Sequence, residues 1–365
     1  MAKCIKSVSK DRGAKHASVG LDVSDHKSCW VALDGEGGIA DRGKVATRAP
    51  ELESWAMSFA PTVIAMEAGP HSPWMSRLLT RCGHEVIVGN PAKMPSISRS
   101  RSKSDWRDAE QLARLARFDR SMLHEIRHRS EETQKNLQSI RSRDAAVGAR
   151  SKLISHVRST VKAHGQLVSR CSTDVFVKRA RTVIHQELRE IVEPILEAID
   201  KLSGTIRVYD QRIERFVATR YPETKWLMQI KGVGALTALA FILVLEDASR
   251  FRSSRMVGPY LGLTPGRDQS GQSDPQKGIS KEGDRLMRRL LVQSGHYILG
   301  PFGIDSDLRR HGEAIASRGG KNAKKRAAVA VARKLAVLLH HLWVSHDTYV
   351  PLFNSSNDAV HQTAA

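Results

Sequence analysis

The chain of 365 residues is long enough for two globular units and a connector, and its 41% hydrophobic composition can build their cores, which excludes a disordered chain. An excess of 58 Lys and Arg over 38 Asp and Glu leaves a formal charge of +20, the balance of a protein that holds a polyanion, with nucleic acid the first candidate. There is no uninterrupted apolar run of 18 or more residues and no signal-peptide pattern, so a cytoplasmic, nucleoid-associated protein with no membrane partner is expected; Cys4, Cys29, Cys82 and Cys171 are spaced for neither a disulfide framework nor a zinc pair.

A polar, basic leader over residues 1–17 is expected to be flexible. Ser18 to Ser24 and Lys27 to Leu33 read as buried strands, and the cluster Asp34-Gly35-Glu36-Gly37-Gly38 reads as a hairpin turn into a third. Glu51 to Phe59 then predicts a helix, Thr62 to Met66 a strand, Pro73 to Cys82 a helix and Glu85 to Val88 a strand. A meander followed by alternating α and β elements is the order of an α/β RNase H-like domain, here residues 18–120.

Residues 89–104 form a Pro- and Ser-rich loop whose Arg99, Arg101 and Lys103 suit nucleic acid, expected to be mobile; Asp105 to Phe118 has helical spacing in Ala109, Leu112, Leu115 and Ala116. Over residues 121–222, Leu188, Ile191, Ile195, Ile199, Leu202, Ile206, Tyr209, Ile213 and Phe216 recur at steps of three and four and predict a helical coiled-coil arm. Two helices packed on the catalytic core are the alternative. Pro194 is expected to break or kink the second helix, so that its regular part starts near there. Residues 223–350 form a mainly α C-terminal domain that ends in a basic amphipathic helix from about Ala323 to Trp343, and residues 351–365 are a polar tail whose last dozen residues are expected to fray.

Asp22 lies in the otherwise apolar run Val19-Gly20-Leu21-Asp22-Val23, where an ionised group is costly without compensation. Glu67 ends the Thr62 to Met66 strand, just before the turn Ala68-Gly69-Pro70. Asp105 and Asp108 are three apart at a helix start, where acids share a face and suit the helix dipole; singly, Asp105 also fits an N-cap and Asp108 a solvated charge. Together the four carboxylates are expected to converge on two Mg2+ ions, with Mn2+ able to substitute, for phosphodiester cleavage. Arg107 lies beside them as a candidate contact to nucleic acid.

Ile230-Lys231-Gly232-Val233-Gly234, followed by the apolar helix Ala235 to Leu245, has the form of a helix-hairpin-helix turn, in which Lys231 and the backbone at Gly232 and Gly234 approach a DNA phosphate; a plain turn between core helices is the alternative. The polar loop from Tyr260 to Gly271, carrying Arg267, and the segment Lys277-Gly278-Ile279-Ser280-Lys281-Glu282-Gly283-Asp284-Arg285 also suit phosphate contact, with Lys281 and Arg285 as candidates. Ser280 is expected to cap the helix that follows. His296, His340 and His341 read as packing or surface histidines.

Gly20-Leu21-Asp22-Val23-Ser24, Met66-Glu67-Ala68-Gly69, Lys103-Ser104-Asp105-Trp106-Arg107-Asp108-Ala109, the Gly232-Val233-Gly234 turn and the stretch from Gly262-Leu263-Thr264-Pro265 to Gly283-Asp284-Arg285 together resemble the DEDD insertion-sequence transposases related to the Piv invertase. The resemblance covers nearly the whole chain. It implies a RuvC-like N-terminal domain holding magnesium on Asp22, Glu67, Asp105 and Asp108, an arm used in oligomerisation to a homodimer or homotetramer, and a C-terminal domain whose Ser270 forms a transient phosphoserine bond to DNA, the two halves building one composite site. It further implies a structured guide RNA that pairs with target and donor DNA, leaving the protein to hold backbones. Where members of the family often have a second glycine after the Ser-Gly pair, this chain has Gln272 and then Ser273, which makes Ser273 the alternative nucleophile. A RuvC-like junction-resolving endonuclease without a serine intermediate keeps the carboxylates but leaves the C-terminal region unexplained. A non-enzymatic DNA-binding protein explains the charge but not four acids in a basic chain.

Overall fold

Period-two patterning resolves into five strands, β1 (Ser18–Asp22), β2 (Lys27–Leu33), β3 (Ile39–Ala46), β4 (Val63–Glu67) and β5 (Glu85–Gly89), in a computed structural model that describes residues 16–94, 104–266 and 277–354. The strand order is β3-β2-β1-β4-β5. β1 runs antiparallel to β2 and parallel to β4, β2 antiparallel to β3 and β4 parallel to β5, which is the expected RNase H-like mixed sheet. Among the described residues three α-helices belong to this unit, Met1–Arg129: α1 (Ala49–Met57), α2 (Ser72–Arg81) and α3 (Asp105–Phe118).

Alternation sends neighbouring side chains of each strand to opposite faces. Val19 and Leu21 of β1 and Ile64 and Met66 of β4 enter one core with Leu52 and Ala56 of α1 and Met75 and Leu79 of α2. The residues between them face α3: Ala65 packs with Leu112 and Ala116, while Val31 and Leu33 of β2 pack with Ala109 and Ala113. Each large, fully buried side chain here, such as Leu21 or Leu52, contributes roughly 1.5–3 kcal/mol.

The second unit, Ser130–Ala365, is helical among the described residues. Ser130 starts α4 (Glu131–Ala163): its Oγ accepts from Thr133 N, and Glu131 and Glu132 suit the first turn. α4 packs beside α6 (Gln186–Thr219), with the short α5 (Phe176–Val183) closing a cluster around Val157, Val161, Phe176, Leu188, Val192 and Leu196. The buried stripe of α6 is Leu188, Val192, Leu196, Ile199, Ser203, Ile206 and Ile213, so the expected stripe is corrected at its start, where Ile191 is 71% exposed. The start at Pro194 is corrected too: α6 begins at Gln186 and runs through Pro194, because the packed Leu188 and Val192 offset the single lost N–H. Buried Ser203 receives a hydrogen bond from Arg150 Nη1 of α4 at 3.2 Å.

Leu137 and Ile140 of α4 and Ile213 of α6 join the core of the C-terminal helices. These are α7 (Thr224–Leu227), α8 (Ala235–Leu245), α9 (Val257–Tyr260), α10 (Arg285–Ile298), α11 (Asp307–Ala316) and α12 (Ala323–Ser345). α8 is the centre, buried at every residue from Thr237 to Leu245. By length and composition α12 alone among the described helices is able to cross a membrane, but its Val331, Leu335, Ala336 and Leu339 are spent in this core. The start of the tail is docked: Asp307 N donates to Pro351 O, and Asn354 N donates to Asp307 Oδ2 at 2.9 Å. Residues 1–15 of the leader and 355–365 of the tail lie outside the described residues.

Candidate active site

β1 and β4 are parallel neighbours with Leu21 opposite Met66, so the next residues, Asp22 and Glu67, end the two strands side by side and face the same side of the sheet. Both are partly exposed at that edge, which is how an otherwise apolar strand accommodates an acid.

The spacing of α3 against the sheet carries the other two acids to the same edge. Ser18 Oγ donates to Ala113 O at 2.8 Å, and Gly20 lies against the backbone of Ala109 and Ala113. Each step of two along β1 is about 6.6 Å and each step of four back along α3 about 6 Å, so the two rows stay in phase and Asp105 follows over Asp22. Ala65 of β4 shares a cluster with Leu112, so Asp108, one helical turn before Leu112, lies toward the β4 end of the same edge. Asp105 and Asp108 occupy the first turn of the helix, where its dipole favours them. Asp105 is the first helical residue rather than the cap; Ser104 holds the cap position without a side-chain cap bond.

β2 adds Cys29, opposite Asp22 in the antiparallel register, and its Sγ donates to Asp105 Oδ2 at 3.8 Å. Burial pushes the Cys29 thiol up; Lys44 opposes this, and Asp105 and Asp22 add to it. Trp106, beside Asp105, packs on Val31, Leu33, Ala109 and Ala113, and two cations of β3 lie over its ring, Arg42 at 5.7 Å and Lys44 at 5.6 Å from the centroid. The loops beyond the two strand ends are tied together: His71 Nδ1 accepts from Trp74 Nε1 at 3.1 Å, and His71 Nε2 lies 3.1 Å from Asp25 Oδ1. Ser72 Oγ accepts from Gly69 N at 3.0 Å, donates to Gly69 O at 2.8 Å, and lies 2.9 Å from His128 Nε2, which fixes the turn after Glu67.

The expected closed cluster of four carboxylates is corrected in one respect. Among the described residues no three His, Cys, Asp or Glu side chains are grouped closely enough to hold a metal ion as they stand. The backbone brings the acids to one edge, but the Asp105 carboxylate is turned toward the Cys29 thiol on β2. The donor set itself is four carboxylates, hard oxygen ligands of the kind that Mg2+ takes.

In the second unit, Ile230 and Val233 of the predicted hairpin turn are buried while Lys231 and Gly234 are exposed, so the turn is both a core element and a surface. Gly232 adopts φ +102°, and the helix before the turn, α7, is a single turn. Further on, a short neck brackets residues 267–276: Gly266 N donates to Gly278 O at 2.9 Å and Ser280 N to Thr264 O at 2.8 Å. Gly262 permits it, with φ +66° and a backbone so close to Glu282 that a Cβ would stand 2.1 Å from Glu282 O. Ser280 does not cap α10. Asp284 does, its Oδ1 accepting from Met287 N at 2.8 Å while its Oδ2 receives Arg141 Nη2 at 3.0 Å, because a cap must directly precede the first turn. Lys281, in a left-handed conformation, and Arg285 are exposed. Arg107 is exposed at the start of α3; Arg99, Arg101, Lys103, Arg267, Ser270 and Ser273 lie outside the described residues.

Arg42, Lys44 and Cys29 were not among the residues expected at the site. The available signal was the two-residue spacing of Arg42 and Lys44 on a strand, which puts both on one face.

Residues 19–165 match the model of a DEDD-type transposase of the IS110 group, and residues 224–299 match that of the transposase IS116/IS110/IS902 family. The chain is 27% identical over 290 residues to the transposase for insertion sequence element IS1328 of Yersinia enterocolitica, covering 78% of this chain and 85% of that one. It is 25% identical over 340 residues to a probable family 20 transposase of Pseudomonas aeruginosa, covering 91% and 98%. Over 113 residues it is 28% identical to the pilin gene-inverting protein of Moraxella lacunata, covering 31% and 34%.

Proposed function

Because the chain belongs to the IS110 family of transposases, enzymes that bind, cut and transfer DNA with a divalent metal, we propose that Asp22, Glu67, Asp105 and Asp108 are its metal-holding acids and Ser270 its nucleophile. The observation that carries the first half is the phase between α3 and the sheet, which follows from Ser18, Gly20 and Ala65 packing on Ala113, Ala109 and Leu112. Two Mg2+ ions, with Mn2+ able to substitute, would supply neutralisation of the phosphate charge and easier loss of the attacking hydroxyl's proton. Asp22 and Glu67, on adjacent strands, and Asp105 and Asp108, on one helical turn, are the groups that hold them. Rigid elements bring the four acids to one edge, and the Asp105 carboxylate would turn from Cys29 to join the others when metal binds.

In the strand-transfer step the Ser270 hydroxyl oxygen attacks a phosphorus of the DNA, forming a P–O bond to serine as the P–O bond to one deoxyribose oxygen breaks. The serine proton leaves and the departing oxygen takes up a proton. Attack by a hydroxyl of the joining strand reverses the exchange, releases serine and needs no outside co-reactant. Choice of donor and target falls to a structured noncoding RNA, with the protein acting as a homodimer or homotetramer in the cytoplasm.

The test is cleavage of donor-junction DNA, with the adjacent RNA present, by wild type and Asp22→Asn. Cleavage that requires Mg2+ or Mn2+ and is lost in the variant supports the acids; cleavage by the variant at the wild-type rate sinks them.

A further inference from the structure

We infer that Lys44 and Arg42, held over the ring of Trp106, bind the phosphodiester backbone of the DNA strand that enters the carboxylate edge, an inference that rests on reading Asp105 as part of that edge. Both cations are exposed on β3, the outer strand of the sheet, and their spacing of two puts them on one face. The ring they cover belongs to the residue directly after Asp105 and is wedged among Val31, Leu33, Ala109 and Ala113, so their position is fixed from the same helical turn that carries the acid.

Two observations suit this pair to a phosphate. Neither Arg42 nor Lys44 has an ion pair among the described residues, unlike Arg114, paired with Glu110, and Arg120, paired with Glu85, and both are instead held over one aromatic ring. A ring face orients a cation without cancelling its charge. Lys44 is also the register partner of Cys29, which pairs with Asp22 on its other side and whose Sγ contacts Asp105 Oδ2, and this sets Lys44 beside the acids rather than across the unit. Four carboxylates at one edge repel an approaching phosphate, and two unneutralised cations on the rim supply the attraction that draws it in.

Affinity of the full-length protein for donor-junction DNA, measured by fluorescence anisotropy across a salt series with Ca2+ in place of Mg2+, tests this. Lys44→Met and Arg42→Met are each expected to lower the slope of log affinity against log salt by about 0.9, the loss of one phosphate contact, and Lys44→Arg to restore it. A methylphosphonate scan of the same DNA should show the wild-type loss concentrated at the phosphates next to the cleaved bond, and Lys44→Met should erase that peak. Unchanged slopes in both Met variants, or a loss spread evenly over all phosphates, overturn the inference. Asp105→Asn separates the two readings: it should keep the wild-type slope while cleavage in Mg2+ is lost, and normal cleavage by that variant would refute the acid site without touching the slope measurement.

Discussion

Gly20 lies so close to Ala109 that a Cβ on it would stand 1.8 Å from the Ala109 carbonyl oxygen and 2.5 Å from Ala113 N. A rigid backbone cannot give way as a side chain would. Gly20→Ala is therefore expected to lift α3 from the sheet, at a cost of about 1–3 kcal/mol or more, and to carry Asp105 and Asp108 out of phase with Asp22 and Glu67. Urea unfolding and a cleavage assay should both register it, while Gly69→Ala, where an added Cβ meets nothing within 4 Å, serves as the tolerated control. Equal stability of the two variants would contradict the close packing.

Asp22→Asn and Asp105→Asn remove charge but little volume. Loss of a metal-holding acid should exceed the effect of a supporting residue, so cleavage is expected to fall by more than roughly 100-fold in each. Affinity for DNA without divalent ions should hold or rise, because a negative charge beside phosphate is gone. A fall in that affinity equal to the fall in cleavage would point to misfolding instead.

Burial pushes His128 below the ordinary histidine range, and Arg77 and Arg129 add to this. A folded pKa below the unfolded one means that the unfolded chain takes up the proton first, so this contribution to stability is full above about pH 6.5 and is lost as pH falls through the lower folded value. His128 lies 2.9 Å from Ser72 Oγ, which holds the turn after Glu67. Thermal unfolding from about pH 7.5 to 5 should fall less steeply for His128→Gln than for wild type; parallel curves would remove His128 from the account.

Lys231 is exposed on a turn whose Ile230 and Val233 are buried. Lys231→Ala should leave the melting temperature unchanged and lower the salt slope of DNA binding by about 1 if the lysine meets a phosphate. An unchanged slope would leave the turn with a packing role only.

The sheet was readable because strand period and turn residues act locally: β2 and α3 fall on their expected bounds, and β1, α1, β4, α2 and β5 lie within two residues of theirs. Asp22 was readable for the same reason, as an acid where the pattern calls for an apolar group. The phase of α3 was not, because it depends on Gly20 meeting Ala109, a contact between residues far apart in sequence. Cys29 and Lys44 were hidden likewise, since only the pairing of β1 with β2 and of β2 with β3 sets them beside Asp105. Pro194 misled because intrinsic helix-breaking was outweighed by Leu188 and Val192 packing with Phe176 and Val161. Ser280 misled because Asp284, nearer the helix, takes the cap.

The proposed reaction uses both the acids at the sheet edge and a serine that bonds to DNA. It is tested most directly on a denaturing gel, by looking for a covalent protein–DNA adduct with the element's circular junction, its target and the adjacent noncoding RNA in Mg2+. Wild type is expected to form the adduct, and Asp22→Asn and Ser270→Ala to form none. An adduct that persists in Ser270→Ala would move the nucleophile elsewhere, with Ser273 next to test, and free cleaved ends from wild type with no adduct would contradict the serine mechanism outright.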